Sequence, residues 1–159
     1  MSDFEGLVLR AGSNDDREPV TRLVFGVLEE YGLVSDHKGT DSDLQDIEGE
    51  YARRGGLFDV LETSAGEIVG TVGLYPLDGT TCELRKMYLH ASVRGRGHGK
   101  RLLEHALAQA RQRGFTRVVL ETADTLREAV ALYLKYGFKE YDPDHLSKRC
   151  DRAFYLVLE

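Results

Sequence analysis

The 159-residue chain has two cysteines, three prolines and no apolar run approaching the length of about 20 residues that spans a bilayer. Cys82 and Cys150 have neither the number nor the spacing of a disulfide framework or a zinc site, so both are expected to be small packed residues, and no metal is expected. No repeat, low-complexity tract or linker divides the chain, so residues 1–159 are expected to form one domain, and a hydrophobic content of 42% suffices for a sizeable core. The opening Met1-Ser2-Asp3-Phe4-Glu5 lacks the basic region and apolar stretch of a leader, which points to a soluble, cytoplasmic protein with no membrane partner. Cations are in the minority, 21 Lys and Arg against 27 Asp and Glu, for a net charge of −6. Such a balance argues against non-specific nucleic-acid binding.

The scarce cations are concentrated. Arg94-Gly95-Arg96-Gly97-His98-Gly99-Lys100-Arg101 holds four of them and no acid, while the rest of the chain carries 17 against 27, a balance of −10. Glycine adopts positive φ and lets a ligand approach with no Cβ in the way, so several amide N–H groups can converge on one anion. The octet runs into an amphipathic segment, 102–111, whose helix dipole adds favourable potential at its start. The octet therefore reads as a polyphosphate cradle, against the plainer alternative of a glycine turn with a solvated basic face. It is not a Walker loop, because Arg101 follows Lys100 where a hydroxyl is required, and its glycine spacing is not the Rossmann fingerprint.

Apolar periodicity and turn residues predict strands at 6–10, 57–62, 68–77, 81–89, 117–121, 138–141 and 152–158. Helices are predicted from Ser13-Asn14-Asp15-Asp16 to Gly32, over 42–53, from the glycine loop to Gly114, and over 125–136. The fold class is α/β, an α+β sandwich with helices on both faces of a mixed, mostly antiparallel sheet of about seven strands. The unit from Leu84 to Glu121 is expected to be a right-handed crossover that sets its two strands parallel.

These residues resemble the GCN5-related N-acetyltransferase superfamily. Arg94, Gly97 and Gly99 match its R/Q-x-x-G-x-G/A hallmark after a strand, and 129–138, with Tyr133 and Gly137-Phe138, matches a second hallmark about 30 residues on. The resemblance implies acetyl-coenzyme A as acyl donor, a primary amine as acceptor, and direct attack in a ternary complex. The coenzyme's pyrophosphate is expected on the amides of Arg94, Gly95, Arg96, Gly97, His98, Gly99 and Lys100, with the Arg94, Arg96 and Lys100 side chains adding charge. Its pantetheine arm is expected against Met87, Tyr88 and Leu89, on a strand splayed from its parallel neighbour, where one amide polarises the thioester carbonyl.

For the chemistry, Glu83 is the candidate base, directly or through water, with a strand-face pair to Arg85 or Arg117 as its alternative. The family places its proton donor at the position of Tyr133; Tyr136 is the neighbouring alternative. Many relatives carry an asparagine where Leu126 stands, so Thr122 or Asp124 is expected to substitute, or the contact to be absent. Asp41, Asp43, Asp46, Glu48 and Glu50 form either an acidic rim favouring a cationic amine or a solvated helix face. His145, Lys148, Arg149 and Arg152 could instead recognise a carboxylate. The preferred acceptor is a small-molecule amine; the alternatives are a protein or peptide amine, or an acyl-coenzyme A sensor without turnover. A homodimer through the sheet edge or the C-terminal strands is an expectation, because the apolar final strand 152–158 could leave an unprotected edge.

Overall fold

The computed structural model describes residues 4–159. Along the chain run β1 (Val8–Ala11), α1 (Arg17–Glu30), α2 (Ile47–Glu50), β2 (Leu57–Glu62), β3 (Ile68–Pro76), β4 (Thr81–Leu89), α3 (His98–Gln112), β5 (Arg117–Thr122), α4 (Arg127–Lys135), β6 (Lys139–Tyr141) and β7 (Arg152–Val157). The strands form one seven-stranded sheet of order β1-β2-β3-β4-β5-β7-β6. Among the described residues only β4 and β5 pair in parallel, as the crossover through α3 requires, and the other pairs are antiparallel. No helix among the described residues is long and apolar enough to cross a membrane.

Strand alternation divides the core into two layers. Leu57, Leu61, Val72, Leu74, Cys82, Leu84, Val118, Leu120 and Phe154 face α3 and α4, where Leu102, Leu103, Ala106, Leu107, Ala110, Val130 and Tyr133 cover them. Phe58 and Val60 face the other way, against Val20, Val24 and Leu28 of α1 and against Leu44, Ile47 and Tyr51. Helices thus cover both faces, as the sequence predicts. The α1 side is covered only over the β1 to β4 half.

The start of α1 is fixed by charge as well as packing. Ser13 and Asp16 form a capping box on the 3-10 turn Asn14–Asp16 that leads into α1, and Asp16 takes two 2.8 Å hydrogen bonds from Arg10 on β1. Those Arg10 bonds hold the Asp16 carboxyl below its usual value against the opposing effect of burial. Asp16→Ala removes both the cap and the anchor and is expected to cost about 2 kcal/mol in urea unfolding at neutral pH. A loss below about 0.5 kcal/mol would mean the box is incidental.

Two expectations need correction. The helix over 42–53 is broken into a 3-10 turn (Ser42–Gln45), α2 and a second 3-10 turn (Ala52–Arg54). Its acids make side-chain bonds, local and long-range, that compete with a continuous helix. Asp46 caps the Gly49 N–H at 3.0 Å, Glu48 accepts the Asn14 N–H at 2.8 Å, and Asp43 accepts the Tyr51 hydroxyl. Asp41 and Asp43 are only 1% and 4% exposed, so they form neither a rim nor a solvated face. Secondly, β7 is not a sheet edge. It lies between β5 and β6, and the sheet's edges are β1 and β6.

Candidate active site

The site begins where two parallel strands part. β4 and β5 pair only between residues 81–83 and 117–119, although β4 continues to Leu89 and β5 to Thr122 against their outer neighbours. Just beyond the parting, β4 carries a bulge at Lys86, whose φ of 53° is unusual for a side-chain-bearing residue. The buried Thr71 hydroxyl donates to the Lys86 carbonyl at 2.6 Å and fixes the kink. The bulge resets the alternation, so that Tyr88 joins the α1-side core while Met87 and Leu89 turn toward α3 and α4. Lys86 reaches under the 3-10 turn, 3.2 Å from both Asp41 and Asp43.

From β4 the chain passes through the glycine loop into α3. Gly95 and Gly97 have φ of 79° and 81°, and Gly97 is the N-cap. The backbone N–H groups of Gly95, Arg96, Gly97, Gly99 and Lys100 have no acceptor among the described residues. Converging donors at the positive end of a 15-residue helix fit a diphosphate. All but Arg96 border a cavity of about 310 Å³ that also runs along Met87, Tyr88 and Leu89 to Leu126, Ala129 and Leu132 of the α4 region. His98 is buried and its ring stacks on Phe4, so it helps to seat the loop, while Arg96 and Lys100 are exposed. The Arg94 guanidinium has another use: it donates to the Leu89 carbonyl at 3.0 Å and pairs with Glu30 of α1. Arg94 therefore contributes by bracing the loop against α1 more than by an outward charge.

A second cavity, of about 670 Å³, lies over the uncovered half of the α1-side sheet face. It shares Met87, Tyr88, Leu126 and Ala129 with the first, so the two meet where β4 and β5 part. Glu83, Thr122 and Tyr133 all line it. Glu83 is paired with the Arg85 guanidinium, which stacks 3.8 Å from the centroid of the Tyr75 ring. Tyr133 is buried and its hydroxyl has no hydrogen-bond partner among the described residues. Burial, reinforced by Tyr88 and Cys150, pushes its phenol well above the ordinary value, and burial pushes Tyr88 up to about 12. Tyr136 points elsewhere and donates to Glu104 at 2.8 Å.

Of the residues considered in place of the family's asparagine, Asp124 is held by Arg152 at 2.9 Å. Thr122 borders only the larger cavity. Leu126 itself stands at the junction, so an apolar surface replaces the polar contact. The basic residues considered for a substrate carboxylate are mostly engaged: Arg149 makes two 2.7 Å bonds to Asp41, and Arg152 pairs with Glu140 and Asp124. His145 lines the cavity and Lys148 does not. Sequence reasoning did not find Ala129 at the junction, Glu30 behind Arg94, or Glu121, a cavity carboxylate on β5. Alternation alone marks Glu121 as sharing a face with Glu83, because Glu83 pairs with Val119. No sequence signal distinguishes Glu30. Among the described residues no group of three or more His, Cys, Asp or Glu is placed to hold a metal ion.

The comparisons agree with this geometry. The family model described as acetyltransferase (GNAT) family matches residues 25–138. An Escherichia coli protein named as an uncharacterized N-acetyltransferase, YjgM, is 39% identical over 140 residues, covering 85% of this chain and 83% of its own. An uncharacterized N-acetyltransferase of Schizosaccharomyces pombe is 30% identical over 145 residues, 91% of this chain and 88% of its own. Among solved structures, a GNAT-family acetyltransferase from Staphylococcus aureus superposes with a TM-score of 0.89 at 24% identity, covering 96% of this chain and 99% of its own.

Proposed function

The chain belongs to the acetyltransferase (GNAT) family and is an acetyl-coenzyme A-dependent N-acetyltransferase, and from that premise we propose that its acceptor is the primary amine of a small molecule, attacked directly in a ternary complex. The observation that carries this reading is the meeting of two cavities at the parting of β4 and β5. One is bordered by unsatisfied amides at a helix start, and the other by a carboxylate and a buried phenol. Together they allow a donor and an acceptor to be held at once, with the reacting atoms near Met87, Tyr88 and Ala129.

The amides of Gly95, Arg96, Gly97, Gly99 and Lys100 would hold the pyrophosphate, and the β4 main chain from Met87 to Leu89 would hold the arm. Bound there, acetyl-coenzyme A supplies an activated acyl group. A β4 amide on the side freed from β5 polarises the carbonyl under attack. An alkyl amine of pKa near 10.4 is about 99.9% protonated at neutral pH, so Glu83, directly or through one water, takes a proton before attack. Arg85, stacked on Tyr75, holds the Glu83 carboxylate in place. Tyr133, kept protonated by burial, gives its proton to the departing sulfur and recovers one from the nitrogen, which sheds its second proton as the amide forms.

The test is coenzyme A release with a panel of primary amines, beside calorimetric binding of acetyl-coenzyme A. Glu83→Gln and Tyr133→Phe are each expected to lower kcat about a hundredfold, with the Kd for acetyl-coenzyme A within about twofold of wild type, because neither side chain borders the loop cavity. If both variants keep full turnover, the catalytic assignment fails. Tight binding with no turnover of any amine would favour a sensor.

A further inference from the structure

We propose that Glu121 is a specificity-determining residue that selects an acceptor carrying a second positive charge, of the diamine type, beside the amine that reacts. The inference rests on the acetyltransferase reading above and concerns the larger cavity alone.

Charges along that cavity are largely paired. Asp43 is met by Lys86, Glu50 by Arg54 and Glu83 by Arg85. The lysine and arginines that line it are likewise spent: Arg85 on Glu83, Lys86 on Asp41 and Asp43, Arg149 on Asp41. Glu121 differs. It is half-buried and, like the exposed Asp144 on the same cavity, makes no ion pair among the described residues. Its hydrogen bonds come from neutral donors, the Ser147 N–H at 2.9 Å and the Ser147 hydroxyl at 3.0 Å, and both fall on Oε1. Among the described residues no donor reaches Oε2. A carboxylate held rigidly by one oxygen, with the other open to a cavity, is suited to a charge-assisted bond with a ligand cation.

The surrounding sheet face completes the subsite. Glu121 of β5 and Tyr141 of β6 both stand opposite Ala153 of β7, so the three lie in one cross-strand row on the same face. A carboxylate and an aromatic ring thus flank a single methyl group, and Tyr141 also lines the cavity. That is a slot for an ammonium group, which the carboxylate neutralises and the ring face attracts. Glu83 lies on the same face, because it pairs with Val119, two residues before Glu121. Strand geometry then separates the two carboxylates by about 8 Å at Cα, so one chain of a few methylenes can address both.

The experiment measures kcat/KM for 1,4-diaminobutane, for n-pentylamine, which matches it in heavy atoms, and for 4-aminobutanoate, in wild type and in Glu121→Gln. The glutamine keeps a carbonyl oxygen for Ser147, and an unchanged melting temperature verifies the fold. In wild type the diamine is expected to exceed the monoamine at least tenfold, with 4-aminobutanoate the poorest; in Glu121→Gln the ratio should collapse to within about twofold. Equal use of diamine and monoamine by wild type, a preference for 4-aminobutanoate, or an unaltered ratio in the variant would each overturn the inference and leave the acetyltransferase reading standing. Turnover of other primary amines but of none of these three would overturn the inference alone, and turnover of no amine at all, with acetyl-coenzyme A still bound, would overturn both.

Discussion

Asp41→Ala should destabilise the protein by about 3–5 kcal/mol, the cost of removing one partner from a buried ion network. For a chain of this size that corresponds to a fall in Tm of roughly 6–20 °C. The Asp41 side chain is wholly buried, with Arg149 and Lys86 at 9% and 4% exposure around it. It accepts two 2.7 Å bonds from Arg149 and the Asp36 N–H at 2.8 Å, and lies 3.2 Å from Lys86. Alanine would strand the Arg149 guanidinium and the Asp36 amide, while Lys86 keeps Asp43. Burial pushes the Asp41 carboxyl up, but the Arg149 bonds, the Asp36 amide and the two cations outweigh it, so the net displacement is downward. A group held below its unfolded value contributes stability that is complete above the unfolded pKa, about 3.9, and is lost as pH falls through the folded value. The gap between wild type and variant should therefore be widest at neutral pH and narrow in acid below about pH 4. Urea unfolding at both pH values checks it; a loss under about 1 kcal/mol at pH 7 would show that the network is not integral.

Gly97→Glu should weaken acetyl-coenzyme A binding by about a thousandfold. Gly97 has φ of 81°, and a Cβ there would come 3.0 Å from the Arg101 guanidinium, which itself donates to the Arg96 carbonyl at 2.8 Å. Any side chain strains this backbone, and a carboxylate adds repulsion at the point where the amides and the helix dipole attract anions. Losing about two charge-assisted hydrogen bonds amounts to roughly 4 kcal/mol, three orders of magnitude in Kd. Calorimetry with acetyl-coenzyme A and with a pantetheine fragment lacking the phosphates separates the contributions. The variant should lose the coenzyme and bind the fragment as wild type does. Undiminished coenzyme binding would make the loop structural.

Local signals in the sequence account for much of this architecture. Period-two runs gave every strand of the sheet to within a few residues, and Gly32, Gly114 and Gly137 each follow the helix they end. The glycine octet was legible because positive φ and clustered cations are local properties. What escaped reading is tertiary. Asp41 and Asp43 resemble any solvated acidic run until Lys86 and Arg149 arrive from 43 or more residues away to neutralise them. The bulge at Lys86 leaves no mark on an evenly alternating strand, since its cause is a threonine hydroxyl on β3. Arg94 fits a family motif, and nothing nearby in the chain foretells that Glu30 will claim it.

The position of β7 between β5 and β6 bears on the route by which the chain folds. β6 pairs with β7 alone, although β6 comes first in the chain. Residues 139–141 have no direct partner in β1 to β5 and reach the sheet only through 152–157. The outer wall of the larger cavity, to which Tyr141 belongs, therefore joins the sheet only together with or after the pairing of β7 on β5, out of chain order. Such non-local closure is intrinsically slow, and it leaves the flank of β5 open to solvent in any partly folded intermediate. Amide exchange should accordingly find the protection of β6 rising and falling with that of β7, and not with that of the helix that precedes it.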